Sequence, residues 1–431
     1  MWKRMLICLL ACCGLLSGSL LLSGCGRLQS NTRPADRNNG LAVSHSEQPE
    51  TVPKASLTPE EHAAQELAGL SLEEKVGQMF FLAYRKDADF QDLLVLDEDA
   101  LTQIERIQPG GVVLFGENID TVEQMRALIR AAQEAVRMPL FVSIDQEGGA
   151  VQRIRNTAKI SATDIPPMFE LGQAGDLLLA KDVGRVIGAE LSVFGFNMDF
   201  APECDVFSNP NNTVIGQRAF SSDPQVVARM SAALSEGLRA NGIIPVCKHF
   251  PGHGDTDGDT HEGIVILDKD MQQLRDTELV PFRRQIEEGA EAVMVAHISL
   301  PQINGDNTPA TLSKRIVDGL LRRELGFEGI VITDSMMMQA VTDSYTTAEA
   351  TRLAVEAGVD MILMPRQPGE AYHSLLTAVK DGVVSEERID ESVLRILELK
   401  HRYQLFDPAP LADKSILGCE EHRSVIGKIY E

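Results

Sequence analysis

One segment of the sequence collects many ionisable side chains in a short space. Residues 248–261, KHFPGHGDTDGDTH, hold three histidines, three aspartates and three glycines in fourteen positions. Side chains of these types at this density serve three kinds of site, namely a calcium loop, a zinc site or a loop that transfers protons. The spacing of the residues and the rest of the chain decide between these chemistries.

A calcium loop of the EF-hand type fails on spacing. Asp255, Asp257 and Asp259 alternate as the first ligands of such a loop do. An EF-hand needs glycine at its sixth position and glutamate at its twelfth. Here the glycine is the fourth residue, Gly258, and the twelfth residue is Ile266. The segment is therefore not predicted to bind calcium.

A zinc site is harder to dismiss, because His249, His253 and His261 are all potential ligands. The HExxH pattern is not completed, since Glu262 follows His261 but no second histidine comes three residues later. Zinc ligands usually project from helices or strands, whereas this loop is rich in glycine. We therefore predict no metal ion and no cofactor.

Proton transfer is the chemistry that fits the segment best. Asp259 lies two residues before His261, so an extended or turning backbone can direct both side chains the same way. A carboxylate next to an imidazole fixes the tautomer of the ring and supports its protonated form. His261 could then donate a proton to a leaving group and later remove one from water. The alternative is a solvated polar loop without chemistry.

The chain around this segment alternates between apolar runs and amphipathic stretches. The apolar runs are short and rich in β-branched residues, and they cover residues 76–84, 110–116, 139–145, 196–202, 243–250, 290–298, 329–335 and 359–365. The amphipathic stretches include Thr121–Val136, Asp176–Phe194, Pro224–Asn241, Met271–Glu288, Thr346–Ala357 and Glu386–Tyr403. Apolar strands alternating with helices are typical of a covered parallel sheet. Eight such units predict an α/β fold of the (β/α)8 TIM-barrel type rather than a doubly wound sheet, whose nucleotide-binding glycine motifs are absent from the sequence.

Polar residues collect where the predicted strands end. In a barrel of this type the functional site lies at the carboxyl ends of the strands. The residues at those ends are Asp145, Asp199, Asp205, Lys248, His249, His297 and Asp334. One such residue could be a buried cap, but so many at one rim predict a functional site.

The amino-terminal residues resemble an export signal. Lys3 and Arg4 precede an apolar run over residues 5–22, which is the pattern of a secretory signal peptide. The run closes with LSGC (22–25), which resembles the lipoprotein box in which Cys25 is lipidated. An uncleaved membrane anchor is the alternative, because the run is nearly long enough to span a bilayer.

These features predict four segments. Residues 1–24 are expected to be a lipoprotein signal peptide, and residues 25–58 a disordered polar tether that starts at lipidated Cys25. Residues 59–405 are expected to form a single catalytic barrel, and residues 406–431 a short carboxyl-terminal tail. The catalytic domain is then expected outside the cytoplasm, held at the cell membrane by the lipid.

The charge of the chain restricts its partners. The formal net charge is −23 at pH 7, and the signal carries two positive charges and no acidic residue, so the mature chain stands at −25. A surface this acidic repels phosphate backbones, so no nucleic-acid partner is expected. No feature of the sequence indicates an oligomer, and a monomer is the expectation.

Four motifs carry a resemblance to a known family. They are IDQEGGAVQR (144–153), NPNNTVIGQRAFSSDP (209–224), KHFPGHGDTDGDTH (248–261) and VITDSMMM (331–338). In this order they resemble glycoside hydrolase family 3, and more narrowly its single-barrel bacterial β-N-acetylhexosaminidases. The similarity extends over residues 62–405, which is nearly all of the predicted barrel.

The resemblance implies a role for each matching position. Asp334 corresponds to the nucleophile, His261 to the general acid/base and Asp259 to its dyad partner. The family often has arginine where this chain has Ala150, which puts one peripheral contact in doubt. The positions that match the sugar-binding residues of the −1 subsite are Asp145, Arg153, Arg218, Lys248 and His249.

The acid/base is expected on a loop of the barrel. Many β-glucosidases of the family carry this group on a second domain, and no such domain follows the barrel in this sequence. The loop bearing His261 is then the expected source. Gly252, Gly254 and Gly258 are expected to give the loop the backbone freedom to close over a bound sugar.

The resemblance implies an exo-acting retaining β-N-acetylhexosaminidase that removes terminal GlcNAc from cell-wall fragments or other glycans through a covalent glycosyl-enzyme. Two alternatives use the same site. One is a β-N-acetylglucosaminide phosphorylase, since an imidazole does not repel phosphate as a carboxylate would, and the other is a β-glucosidase. A third alternative is a lipid-anchored sugar-binding protein, although a binding protein needs neither a nucleophile nor a proton donor. The expected partner is a GlcNAc-containing oligosaccharide or muropeptide.

Overall fold

The computed structural model describes residues 57–87 and 89–431. The predicted signal peptide, Cys25 and the predicted tether up to residue 56 lie outside the described residues. None of the helices in the described part of the chain combines the length and the apolar composition that a membrane span requires.

Eight parallel strands form the centre of the fold. We number them β1 to β8 in chain order: Phe80–Ala83, Gly111–Val113, Phe141–Ile144, Met198–Asp199, Ile244–Phe250, Ala292–Val295, Ile330–Thr333 and Ile362–Leu363. Each strand falls inside one of the eight apolar runs of the sequence. The predicted number and positions of the strands are therefore confirmed.

The strands close into a barrel. Neighbours in the sheet follow the order β7, β6, β5, β4, β3, β2, β1, β8, so sequential strands lie side by side. At one edge Phe80 of β1 pairs with Ile362 of β8. At the other, Ile332 of β7 forms a parallel bridge with Met361, just before β8. The predicted (β/α)8 barrel is thus confirmed.

Helices cover the outside of the barrel, and several begin at side chains that cap them. Ser71 and Glu74 bond reciprocally to each other's backbone N–H groups, as do Thr346 and Glu349, and this satisfies donors of the first turn. We number the α-helices α1 to α15 in chain order: Pro59–Ala68, Leu72–Gln78, Glu98–Ile107, Val122–Glu134, Met168–Ala174, Leu177–Phe194, Pro224–Arg239, Met271–Asp276, Leu279–Glu287, Pro301–Asn304, Gln339–Thr342, Thr347–Ala357, Pro368–Lys380, Glu386–Arg402 and Glu420–Gly427. A further helical segment with wider, π-type hydrogen bonding spans Arg315–Glu324.

Two predicted elements have different bounds in the structure. The first apolar run starts in α2 and not in β1, because the Ser71 cap begins a helix that continues to Gln78. The predicted helix Met271–Glu288 divides into α8 and α9, with a break at Thr277. Pro281 explains the break, since proline lacks an N–H and is tolerated only in the first turn of a helix.

The barrel interior beneath the predicted site is apolar. The ring of Phe81 stacks on that of Phe141 and meets that of Phe200 edge-on, with centroids 6.3 and 5.6 Å apart. Ile396 and Leu399 of α14 belong to the same buried cluster. This packing supports the strands from below, so their carboxyl ends are held at fixed positions.

The predicted carboxyl-terminal tail has structure of its own. Within residues 406–431, a short 3₁₀ turn is followed by α15 and by a second 3₁₀ turn at Lys428–Tyr430. Leu417, Ile426 and Ile429 are buried in the cluster that also contains residues of α6. This segment therefore packs against the outer face of the barrel.

Candidate active site

The predicted site residues meet at the carboxyl end of the barrel. They line one cavity of about 500 Å³. The lining residues that the sequence singled out are Asp145, Arg153, Arg218, Lys248, His249, His261 and Asp334. Asp199 is fully buried beneath the cavity, where Gln146 N–H donates to its Oδ1 at 2.9 Å.

Asp334 is placed by the strand that ends just before it. Its backbone N–H donates to the carbonyl oxygen of Val295 in β6 at 2.9 Å, and its Oδ1 accepts from Ser335 N–H at 2.6 Å. Burial acts to raise the pKa of Asp334, but the nearby His249 and His297 outweigh it and the net pKa is lowered. The group is therefore a carboxylate, which is the form a nucleophile needs.

A buried network of charges holds Lys248 and Arg218 in place. Lys248 Nζ lies 2.8 Å from Asp145 Oδ1 and 2.5 Å from Glu147 Oε1. Arg218 donates to both carboxylate oxygens of Glu147 at 2.9 Å. Despite burial, the Arg218 and Lys248 charges lower the pKa of Glu147 to about 2. Arg153 reaches the other oxygen of Asp145 at 3.4 Å.

His249 is oriented by a second buried group, Asp205. His249 Nδ1 lies 2.8 Å from Asp205 Oδ2, and His253 N–H donates to Asp205 Oδ1 at 2.6 Å. Burial raises the pKa of the adjacent Glu203 well above its usual value. His249 and the neighbouring Glu203 hold the pKa of Asp205 below its usual value against burial. Asp205 is thus the charged carboxylate of the two, and it fixes His249.

A metal ion has one candidate position in the described residues, and it differs from the one considered from sequence. Glu203, Asp205 and His249 each bring a ligand atom, and these atoms lie within 4.8 Å of one another. Asp205 already contacts His249 at 2.8 Å, whereas neither carboxylate oxygen of Glu203 has a hydrogen-bond partner. Arg218 lies 2.5 Å from Glu203, so a cation adjoins the cluster. The Arg218 guanidinium thus already places a positive charge against Glu203, and absence of a metal stays a prediction.

His261 and Asp259 form the contact that their spacing suggested. His261 Nδ1 lies 2.8 Å from Asp259 Oδ1, and the His261 backbone N–H donates to the same oxygen at 2.9 Å. These contacts outweigh burial and lower the pKa of Asp259. The His261 side chain is 64% exposed, and its Nε2 remains for proton transfer. The imidazole is therefore oriented by a carboxylate at the mouth of the cavity.

The first half of this loop is anchored, which differs from the freedom expected of its glycines. A Cβ on Gly254 would lie 1.9 Å from the carbonyl oxygen of Val206, so this glycine allows close packing. Gly252 has a φ of 128°, a conformation that disfavours other residues. His253 is 2% exposed. Gly254 is thus needed for close packing and Gly252 for its backbone conformation, and closure of the loop over a sugar stays a prediction.

The second half of the loop touches the segment that carries Asp334. The Ala340 N–H donates to the carbonyl oxygen of Thr260 at 3.2 Å. The Thr260 hydroxyl also lies 3.5 Å from Met338 Sδ. These contacts connect the residue just before His261 to the residues that follow β7. The predicted acid/base His261 and the predicted nucleophile Asp334 therefore face one cavity.

Sequence reasoning missed two buried acids, Glu147 and Glu203. Glu147 lies two residues after Asp145 in an extended segment, so its side chain points the same way, and this spacing was a usable signal. Glu203 gave no such signal, because its partner Arg218 is distant in sequence.

Comparison with known proteins decides the family. A model of the glycosyl hydrolase family 3 N-terminal domain matches residues 71–399. The chain belongs to glycosyl hydrolase family 3. The predicted family is confirmed, and with it the predicted enzyme class, a glycoside hydrolase.

Named relatives agree with this assignment. The chain is similar to a protein named beta-hexosaminidase A from Pseudoalteromonas piscicida, at 34% identity over 349 residues, which is 74% of this chain and 58% of the relative. Among solved structures it is similar to a family 3 beta-N-acetylglucosaminidase from Paenibacillus sp. str. FPU-7, with a TM-score of 0.78 and 37% identity, over 84% of this chain and 68% of that one. It is also similar to the structure of a beta-glucoside phosphorylase, BglX. The TM-score is 0.76 and the sequence identity 26%, over 86% of this chain and 66% of that one.

Proposed function

We propose that the chain is an exo-acting retaining β-N-acetylglucosaminidase that uses Asp334 as nucleophile and His261 as acid/base. The observation that carries the proposal is that a buried carboxylate and an Asp-oriented imidazole line one cavity at the barrel rim. Retaining hydrolysis needs one group to form the glycosyl-enzyme and another to move the proton. Relatives named beta-hexosaminidase support GlcNAc as the sugar.

The first step breaks the glycosidic bond. An Asp334 oxygen attacks the anomeric carbon while His261 Nε2–H protonates the departing oxygen, which leaves as an alcohol. Asp259 Oδ1 accepts a hydrogen bond from His261 Nδ1–H and so stabilises the protonated imidazole ring. In the second step His261 removes a proton from water, which attacks the anomeric carbon and releases Asp334. The product keeps the β configuration.

The buried network supplies rigid hydrogen-bonding groups for the sugar. Lys248 is 2% exposed and is held from two sides by carboxylates, so its remaining donor capacity has a fixed direction. Asp145 is 17% exposed and faces the cavity. A carboxylate beside a fixed ammonium can accept from one sugar hydroxyl while the ammonium donates to the next. This arrangement fits an exo-acting site that holds one terminal sugar.

Phosphorolysis is the second candidate, and one observation favours it. The acid/base is an imidazole, which does not repel an approaching phosphate dianion as a carboxylate would. The similarity to a beta-glucoside phosphorylase is compatible with this acceptor. The same active-site residues would then transfer the glycosyl group from Asp334 to phosphate.

One set of assays separates these functions. Aryl N-acetyl-β-glucosaminide and aryl β-glucoside are compared at equal concentration, each with and without phosphate, and the sugar product is identified. The proposal predicts preference for the N-acetyl substrate and free GlcNAc in both buffers. A sugar 1-phosphate would establish the phosphorylase, preference for the glucoside would establish a β-glucosidase, and binding without turnover would establish a sugar-binding protein.

We further propose that the enzyme is exported and lipid-anchored through Cys25, and that it acts on GlcNAc-containing cell-wall fragments. The support is the sequence pattern of residues 1–25. Detergent phase partitioning of cells that produce the wild-type chain and a Cys25→Ala variant tests this. Partitioning of both into the aqueous phase would contradict the anchor.

A further inference from the structure

His297 is a buried histidine whose ring has two partners. It lies two residues after the end of β6 and is fully buried. Its Nδ1 lies 2.8 Å from the hydroxyl of Thr311, and its Nε2 lies 3.0 Å from the carbonyl oxygen of Ser335. The ring therefore holds the peptide that links Ser335 to Met336, one residue beyond Asp334. It does not line the cavity that the sugar would enter.

The partners determine how many protons the ring carries. A hydroxyl has one proton to donate. The Thr311 hydroxyl lies 2.7 Å from the carbonyl oxygen of Ala296, an acceptor that requires that proton. Thr311 must then accept from His297, so Nδ1 carries a hydrogen.

The second ring nitrogen faces an acceptor as well. A backbone carbonyl can only accept, so the contact with the Ser335 oxygen requires a hydrogen on His297 Nε2. Only the imidazolium form of histidine has hydrogens on both nitrogens. The contacts among the His297 ring, the Thr311 hydroxyl and the carbonyl oxygens of Ala296 and Ser335 thus require a protonated, cationic ring buried near Asp334.

The surroundings both oppose and support this charge. Burial is the strongest influence on the pKa of His297, and with the charge of His261 it leaves that pKa below its usual value, whereas the hydrogen-bond partners of both ring nitrogens require the charged form. The Asp334 carboxylate and the backbone carbonyls of Ser335 and Asp334 favour the charged ring. Buried opposite charges near one another are tolerated where hydrogen bonds satisfy both groups. Here each ring N–H has an acceptor, and Ser335 N–H donates to Asp334.

We propose that His297 is a positioning residue that carries two ring protons in the resting enzyme, fixes the Ser335–Met336 peptide next to Asp334 and places a positive charge near the proposed nucleophile. Its effect on catalysis rests on the proposed role of Asp334. The other groups that act on Asp334 are Lys248 and His249 from β5 and His253 from the following loop.

The protonation state is measured directly by NMR. The full chain is labelled with ¹⁵N in its histidine rings, and a His297→Gln variant assigns the signal. Both His297 nitrogens are expected to be protonated at neutral pH. An unprotonated nitrogen in the wild-type spectrum would overturn the proposal, whatever the substrate of the enzyme proves to be.

Thr311 provides matched variants that leave the ring in place. Thr311→Val removes the acceptor of Nδ1–H, so the ring is expected to lose a proton. Thr311→Ser keeps the hydroxyl and should behave as the wild type. The acidic limb of the pH profile for kcat/KM, which reports the ionisation of Asp334, should move upward by about 1 pH unit or more in Thr311→Val and His297→Gln.

The shape of the pH profile separates this role from a purely structural one. If the variants lose activity equally at every pH and the acidic limb stays where it is, His297 only supports packing and the proposal fails. If the wild type shows no glycosidase activity while both nitrogens are protonated, the proposed function fails and the buried cation stands.

Discussion

Glu147 is the buried acid whose removal should damage the site most without touching the reacting atoms. It is 3% exposed as a residue and contacts both Arg218 and Lys248. Glu147→Gln keeps the shape of the side chain and removes its charge. Arg218 then loses the carboxylate to which it donates two hydrogen bonds, and Asp145 is the one charged partner that Lys248 retains in this network.

Two routes give the size of the effect on stability. Removing one partner of a buried ion pair costs about 3–5 kcal/mol, because the remaining charge stays buried. The fall in the pKa of Glu147 from 4.5 to about 2 corresponds to about 3 kcal/mol. Both routes predict that Glu147→Gln lowers the free energy of unfolding by about 3 kcal/mol at neutral pH.

The dependence on pH adds a second test of the same variant. A carboxyl group whose pKa is lowered in the folded state stabilises the fold above its unfolded pKa, and this contribution is lost as the pH falls toward the folded value. For Glu147 the window runs from about 4.5 down to about 2. The stability difference between wild type and Glu147→Gln should therefore shrink as the pH falls through this window.

Urea unfolding followed by circular dichroism measures these differences, with Glu324→Gln as the control. Glu324 pairs with Arg275, and both side chains are more than one third exposed. Exposed ion pairs contribute about 0–1 kcal/mol, so this control should lose little. Equal losses in Glu147→Gln and Glu324→Gln would refute the reasoning that the Glu147 network is desolvated.

Three further predictions follow from the site. Asp334→Ala should abolish turnover with the fold retained by circular dichroism, and a 2-fluoro glycoside with a good leaving group should label Asp334 in a peptide digest of the wild type; labelling of another residue would move the nucleophile. Asp259→Asn should lower kcat less than His261→Ala does, because the imidazole remains but loses its charged partner. Glu262→Gln on the same loop is the control and should leave kcat unchanged. If Glu262→Gln lowers kcat as much as Asp259→Asn does, the loss comes from a change in loop structure. Prolonged EDTA treatment should leave kcat unchanged, and a loss that zinc restores would show that the enzyme needs a metal.

The barrel could be predicted because its strands are buried on both sides. Such strands read as continuous apolar runs, and polar residues at their ends then mark one rim. Asp145, Lys248 and Asp334 were located in this way before any geometry was known. The bounds of the elements were harder to predict, since the start of β1 depends on the helix that the Ser71 cap begins, and the break before α9 depends on Pro281.

The support of the site could not be predicted from local pattern. The pairing of Glu203 with Arg218 and that of His297 with Thr311 depend on which strand ends meet in space. The glycines illustrate the same limit, because Gly254 reads as a flexible position in sequence. Only the position of Val206 shows that it is a point of close packing. Local spacing indicated the groups that are proposed to react, and tertiary contacts provide the network that orients them.

The central claim is that His261 transfers the proton to the leaving oxygen, and one measurement tests it most directly. Rates of wild type and His261→Ala are compared on a series of aryl N-acetyl-β-glucosaminides whose phenols differ in acidity. The account predicts a loss of about 10²–10⁴-fold for poor leaving groups and a much smaller loss in glycosylation for acidic phenols. An equal loss across the whole series would contradict it and leave His261 as a residue that binds or shapes the site.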